Sequence, residues 1–194
     1  MLLPVISIYF YLSARKRYGK IAILMQLGFF FSWVGDILLM YEQANPLFFM
    51  GGLAAFFVTH LFYIGAFSYP AGSVNTSILK KHPIVAAPFL LLGAVLYYML
   101  YPNLIELKIP VLAYTVVLIL MVLTALNRKT KASYKSFMLV FSGAMLFLIS
   151  DSLLAVNKFL LPLSCPGIWI MTSYIVAQYL IAQGIITPSS YSGK

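Results

Sequence analysis

Six apolar runs of membrane length, each closed by turn-forming residues, constrain this chain more than any other feature. They are Ile21–Tyr41, Leu47–Tyr69, Pro83–Tyr101, Ile109–Leu126, Phe137–Val156 and Gly167–Thr187. A hydrocarbon core about 30 Å thick takes about 20 apolar residues in helical form. Backbone groups inside it must be satisfied within the segment, so such runs become helices. Strands are not expected, because no alternating segments of about ten residues occur. The connectors hold breakers: Asn45-Pro46, Pro70-Ala-Gly72, Pro102-Asn103, Pro162 and Pro166. Met1–Ser13 is apolar but short, and the basic residues Arg15, Lys16, Arg17 and Lys20 follow it, the reverse of a secretory signal. It reads as a short first helix. The expected fold is all-α: one transmembrane bundle of seven helices over residues 1–194.

Composition agrees. The chain is 62% hydrophobic and 9% charged, against about 45–50% and 25% in soluble domains. With no soluble domain to carry it, the net charge of +9 reports topology and not nucleic-acid binding. When helices alternate direction, Arg15, Lys16, Arg17, Lys20, Lys80, Lys81, Arg128, Lys129, Lys131, Lys135 and Lys194 fall on one side. Only Lys108 and Lys158, with Glu42 and Glu106, fall on the other. Eleven of thirteen cations on one face is a positive-inside pattern that places the C-terminus in the cytoplasm and the N-terminus outside. The membrane itself is not specified. Cys165, the only cysteine, forms no internal disulfide.

Two of the four acidic residues, Asp36 and Asp151, lie inside apolar runs. A carboxyl at such a depth is costly and marks function by default. Asp36 is sixteen residues past Lys20 and six before Glu42; Asp151 is sixteen past Lys135 and seven before Lys158. Both expected helices run outward, so both carboxyls sit at one depth, about 9–10 Å below the outer mouth at 1.5 Å per residue. Helical spacing gathers Gly28, Ser32, Gly35, Asp36 and Gln43 on one face, and Gly143, Ala144, Phe147, Asp151, Ala155 and Lys158 on another. Gly35-Asp36-Ile-Leu-Leu39 and Ser150-Asp151-Ser-Leu-Leu154 are alike, which fits a duplication relating two parallel halves.

Four stretches carry a family resemblance: Phe31-Ser-Trp-Val-Gly-Asp-Ile-Leu-Leu39, Gly51-Gly-Leu-Ala-Ala-Phe-Phe-Val-Thr-His-Leu-Phe-Tyr63, Gly143–Phe159 and Met171-Thr-Ser-Tyr-Ile-Val-Ala-Gln178. In order and spacing the chain resembles the lysoplasmalogenase, or YhhN-like, family of multipass membrane proteins. The resemblance implies hydrolysis of the vinyl-ether bond of lysoplasmalogens to a fatty aldehyde and glycerophosphoethanolamine or glycerophosphocholine. Such families usually have eight helices, and the opening segment here corresponds to the second.

That chemistry suits two carboxyls. Protonation of the vinyl-ether β-carbon gives an oxocarbenium ion, and water then adds. The reaction needs an acid and a nearby anion, with no cofactor and no metal. In a shared low-dielectric cavity two carboxyls do not both ionise, so one keeps its proton while the other supplies the charge. Glycosidases apply the same logic to an oxocarbenium-like transition state. Asp36 and Asp151 are therefore the expected catalytic dyad. His60 and Tyr63, three apart, and Tyr174 and Gln178, four apart, share helix faces and complete the expected substrate site with Ser32. Asn157 and Lys158 stand at the outer mouth, where the phosphate head of a lysophospholipid arrives.

Blander readings accompany each. His60 divides evenly between packing and catalysis; Tyr63, Tyr174 and Gln178 serve interhelical packing equally well; Lys158 fits a snorkelling anchor. Ser150 and Ser152 read as packing residues, since no histidine stands at a triad spacing. Two histidines, one of them (His82) in a cytoplasmic loop, make no zinc set. A second functional reading is a small transporter or lipid-binding membrane protein using the aspartates as proton or cation carriers.

Overall fold

The structure, a computed structural model, describes residues 2–14, 19–69, 77–130 and 132–187. The described residues contain helices and 3₁₀ turns and no strand. The helices are α1 (Leu3–Ala14), α2 (Gly19–Met40), α3 (Pro46–Ser68), α4 (Ile78–Lys81), α5 (Ala87–Leu100), α6 (Lys108–Asn127), α7 (Tyr134–Phe159) and α8 (Pro166–Ile186). Among the described residues six helical stretches are long and apolar enough to cross a membrane: α2, α3, 83–103 around α5, 105–130 around α6, α7 and α8. The chain is a multipass membrane protein. All seven expected segments are helical, and α1, at 12 residues, is as short as its sequence implies.

Local chemistry sets the ends. Asn45 caps α3 by accepting from the Leu47 N–H at 2.9 Å, with Pro46 in the first turn. Ser133 caps α7 by accepting from the Ser136 N–H at 3.3 Å, which starts that helix three residues before its apolar run. α4 was not expected: one turn, capped by Ser77, precedes Pro83. α2 ends at Met40, so Gln43 lies in the following turn, exposed, and leaves the face on which spacing put it. Of the basic cluster, Arg15, Lys16, Arg17, Lys131 and Lys194 lie outside the described residues, as does the connector Pro70–Gly72.

The chain forms two compact units, Met1–Tyr69 and Pro70–Lys194. In the first, α1 meets α2 through an edge-on Phe10–Phe29 pair with centroids 5.5 Å apart. Two polar contacts join them as well: the Ser7 hydroxyl donates to Gln26 Oε1 at 2.6 Å, and Gln26 Nε2 donates to the Ser7 carbonyl at 2.9 Å. α2 and α3 approach closely over small residues. A Cβ on Gly28 would overlap the Tyr63 ring, and one on Gly35 would stand 2.7 Å from Phe56. Thr59 Oγ1 donates across the seam to the Gly28 carbonyl at 3.2 Å. Lipid tails are as apolar as leucine, so helices here gain by close packing and polar contacts.

The second unit repeats the device in α7 and α8. A Cβ on Gly143 would stand 2.8 Å from the Ala177 carbonyl oxygen, and one on Gly184 would stand 2.8 Å from the Val140 nitrogen. Ser136 Oγ donates to the Gly184 carbonyl at 2.7 Å, and Ser150 Oγ to the Ile170 carbonyl at 2.9 Å. α6 carries the larger share of buried aliphatic residues, among them Val117, Leu118, Met121 and Val122. Arg128, counted above among the loop cations, is buried at the end of α6 and donates from Nη2 to Ser136 Oγ at 3.1 Å.

Candidate active site

Asp151 sits in the C-terminal half of α7, eight residues past Gly143. Gly143, Ala144 and Phe147 below it on the same face are buried; Asp151 and Ala155 are half-buried, and Lys158 at the top is exposed. The face thus runs from a tight helix contact to a more open region, with the carboxyl at the transition. The Tyr114 hydroxyl of α6 donates to Asp151 Oδ2 at 2.6 Å. Tyr174 of α8 packs edge-on against Phe147, one turn below Asp151, with ring centroids 5.5 Å apart. Gln178, one turn further along α8, is wholly buried. α7 thus bears the carboxyl, α6 supplies its phenol donor, and Tyr174 of α8 packs against α7 one turn away.

At the C-terminal end of α7, Asn157 Oδ1 accepts from the Leu163 N–H at 3.0 Å, so this side chain organises the turn between α7 and α8. Lys158 beside it projects from the last turn of α7. Ser150 faces α8, as given above, while Ser152 Oγ donates back to the Leu148 carbonyl at 2.7 Å.

In the first unit Asp36 is half-buried on α2, directly after Gly35 and its contact with Phe56. Ser32, one turn below, is wholly buried, as is His60 on α3. Tyr63 is also wholly buried; its ring covers Gly28 and stacks on Phe67 at 5.8 Å. Each aspartate helix thus pairs through glycines with the helix that follows it.

Tyr114 is not among the site residues expected from the sequence. A signal was available. Tyr114 is six residues from Lys108, and Asp151 is seven from Lys158. With α6 and α7 running in opposite directions, as consecutive spans joined by a short connector do, that arithmetic gives them one depth. Among the described residues no group of three or more His, Cys, Asp or Glu side chains stands together as a metal set.

The YhhN family model matches residues 1–185. The chain belongs to the YhhN family. This YhhN chain is 33% identical over 179 residues to Lysoplasmalogenase TMEM86B of Homo sapiens, covering 92% of itself and 70% of that protein. It is 34% identical over 164 residues to Lysoplasmalogenase TMEM86A of Homo sapiens, with 80% and 62% covered. It is also 31% identical over 136 residues to Lysoplasmalogenase of Mycobacterium bovis, with 70% and 50% covered. No solved structure is a significant match to the chain.

Proposed function

We propose that this YhhN chain hydrolyses the vinyl-ether bond of lysoplasmalogens, with Asp151 as one member of an acid/base pair. The observation that carries the reading is the carboxyl of Asp151 held by Tyr114 among apolar helices. The similarity to proteins named lysoplasmalogenase gives it a substrate class.

In the reaction, a carboxylic acid delivers its proton to the β-carbon of the vinyl ether, and the electron pair of the double bond forms the new C–H bond. The ether oxygen shares the positive charge, and a carboxylate nearby stabilises it. Water adds to the charged carbon and loses a proton to the carboxylate. The hemiacetal then collapses to a fatty aldehyde, and the glycerol oxygen leaves as an alcohol on glycerophosphoethanolamine or glycerophosphocholine. A positioned acid of this kind contributes about 100- to 10,000-fold. Asp36 enters as the second carboxyl on its position in the sequence, with Ser32 one turn before it on α2 and His60 and Tyr63 on α3, the helix packed against α2. Tyr174 and Gln178 contact the lipid below Asp151, while Asn157 and Lys158 meet the phosphate head. Lysine serves phosphate as a point charge. The C-terminus faces the cytoplasm and the aspartates open toward the other side.

α2 and α7 run unbroken past Asp36 and Asp151. Transporters that bind at mid-membrane commonly interrupt such helices, so the second functional reading gains nothing here. The test is a substrate panel of single-chain lipids of equal chain length, bearing a vinyl ether, a saturated alkyl ether or an acyl ester. Only the vinyl ether has a carbon that accepts the proton, so only that lipid should yield aldehyde. Fatty-acid release from the ester with no aldehyde from the vinyl ether would defeat the proposal.

A further inference from the structure

We propose that Tyr114 is a positioning residue for Asp151, and that turnover depends on the hydrogen bond from its phenol to Oδ2. The inference rests on the reading of Asp151 as part of the acid/base pair.

An aspartate side chain has two torsions, and the one that turns the carboxyl plane is broad. A hydrogen bond to one carboxyl oxygen restricts that torsion and so fixes where the proton is held. Proton delivery to carbon requires one orientation, since a misplacement of about 1 Å costs about 100-fold in rate. Tyr114 supplies the fixed point. Its hydroxyl oxygen lies 2.6 Å from Oδ2, at the short end of the O–H···O range. Its own ring has little room to move. Tyr114 is 9% exposed, and Val111, Val117 and Leu118, on the adjoining turns of α6, are buried as well.

The chemistry of the donor matters as much as its rigidity. A phenol O–H can donate to an ionised carboxylate and equally to the carbonyl oxygen of a protonated acid. The same hydrogen bond therefore survives as Asp151 gives or takes its proton, and the carboxyl keeps its orientation through the cycle. An acceptor-only partner would lose its bond at one of the two stages. Tyr114 touches neither the substrate nor the transferred proton in this account; it acts through Asp151.

The test uses the full chain in detergent. Tyr114→Phe removes one oxygen and keeps the ring. The expected result is a kcat lower by about 10- to 100-fold with KM within about two-fold of wild type. Combined with Asp151→Asn, it should add no further loss, because a residue acting through another has nothing left to position. The infrared band of the Asp151 carboxyl, identified by its disappearance in Asp151→Asn, should shift in Tyr114→Phe without any substrate present. A wild-type kcat in Tyr114→Phe, or a loss carried by KM alone, overturns the inference while wild-type aldehyde release leaves the proposed function standing. A wild type that releases no aldehyde overturns that function and this inference together; a shifted infrared band would then mark the bond as structural. Difluorotyrosine at position 114 keeps ring and hydroxyl should the Phe variant fold poorly. Movement of both kcat and the band supports the inference, and two unchanged values overturn it.

Discussion

Replacing Gly143 with alanine tests how tightly the site is held, because its neighbours on α8 are largely backbone. The added Cβ would stand 2.7 Å from Ile181 Cγ1, 2.8 Å from the Ala177 carbonyl oxygen and 3.0 Å from the Ile181 nitrogen. Ile181 can shift its side chain, but the carbonyl and the amide belong to a helix and move only with it. Ordinary contact begins near 3.4 Å, so α7 and α8 must separate by about 0.6 Å at this level. Overpacking of this kind costs about 1–3 kcal/mol. Stretching the seam also weakens the Ser136 and Ser150 hydrogen bonds, worth about 0.6 kcal/mol each in membrane helices. Alanine's better helix preference returns about 0.5–1 kcal/mol. The net expectation is a loss of about 1–3 kcal/mol, or about 2–4 °C in Tm for each kcal/mol. Trp169, on α8, offers a fluorescence signal for unfolding in detergent. Gly167→Ala is the control, since a Cβ there meets nothing within 4 Å. A Gly143→Ala protein as stable as that control would refute the reasoning, because the backbone clash would then have cost nothing.

Other outcomes follow from the same geometry. Lys158→Ala should leave Tm unchanged, since the side chain is exposed, and raise KM for a phosphate-bearing lysolipid; the difference from wild type should shrink in high salt, where exposed charges are screened. Asn157→Ala should lower Tm by loosening the turn held by its bond to Leu163, by an amount in the range of about 1 kcal/mol for one hydrogen bond. Incubation with a chelator should leave aldehyde release unchanged, as the proposed steps use carboxyls and water alone; a rate restored only by added metal would contradict that chemistry.

Much of the fold was legible because the bilayer admits few solutions. Runs of about 20 apolar residues can only be helices there, and each expected segment is one. What escaped were features set by single side chains. Ser133 extends α7 backward by capping it, and Ser77 starts a one-turn helix, neither of which an apolar window registers. Arg128 read as a topology signal, yet it is buried on Ser136, because a charge near a helix end serves packing as easily as solvation. Gly28, Gly35 and Gly143 stood out in the sequence by their spacing on the aspartate faces, whereas Gly184, across the seam from Val140, did not. Of the candidate site, Asp151 announced itself as an acid in an apolar run. Tyr114 did not, since tyrosines are common in membrane helices and only its depth relative to Lys108 sets it apart.

The central claim is that a carboxyl inside these helices protonates or stabilises a vinyl ether undergoing hydrolysis. The most direct measurement is fatty aldehyde release from a lysoplasmenyl lipid by the purified wild-type chain beside Asp151→Asn and Asp36→Asn, each shown to be folded. The account predicts aldehyde from the wild type and a loss of at least about 100-fold in both variants. Undiminished aldehyde release by the folded Asp151→Asn protein would contradict it.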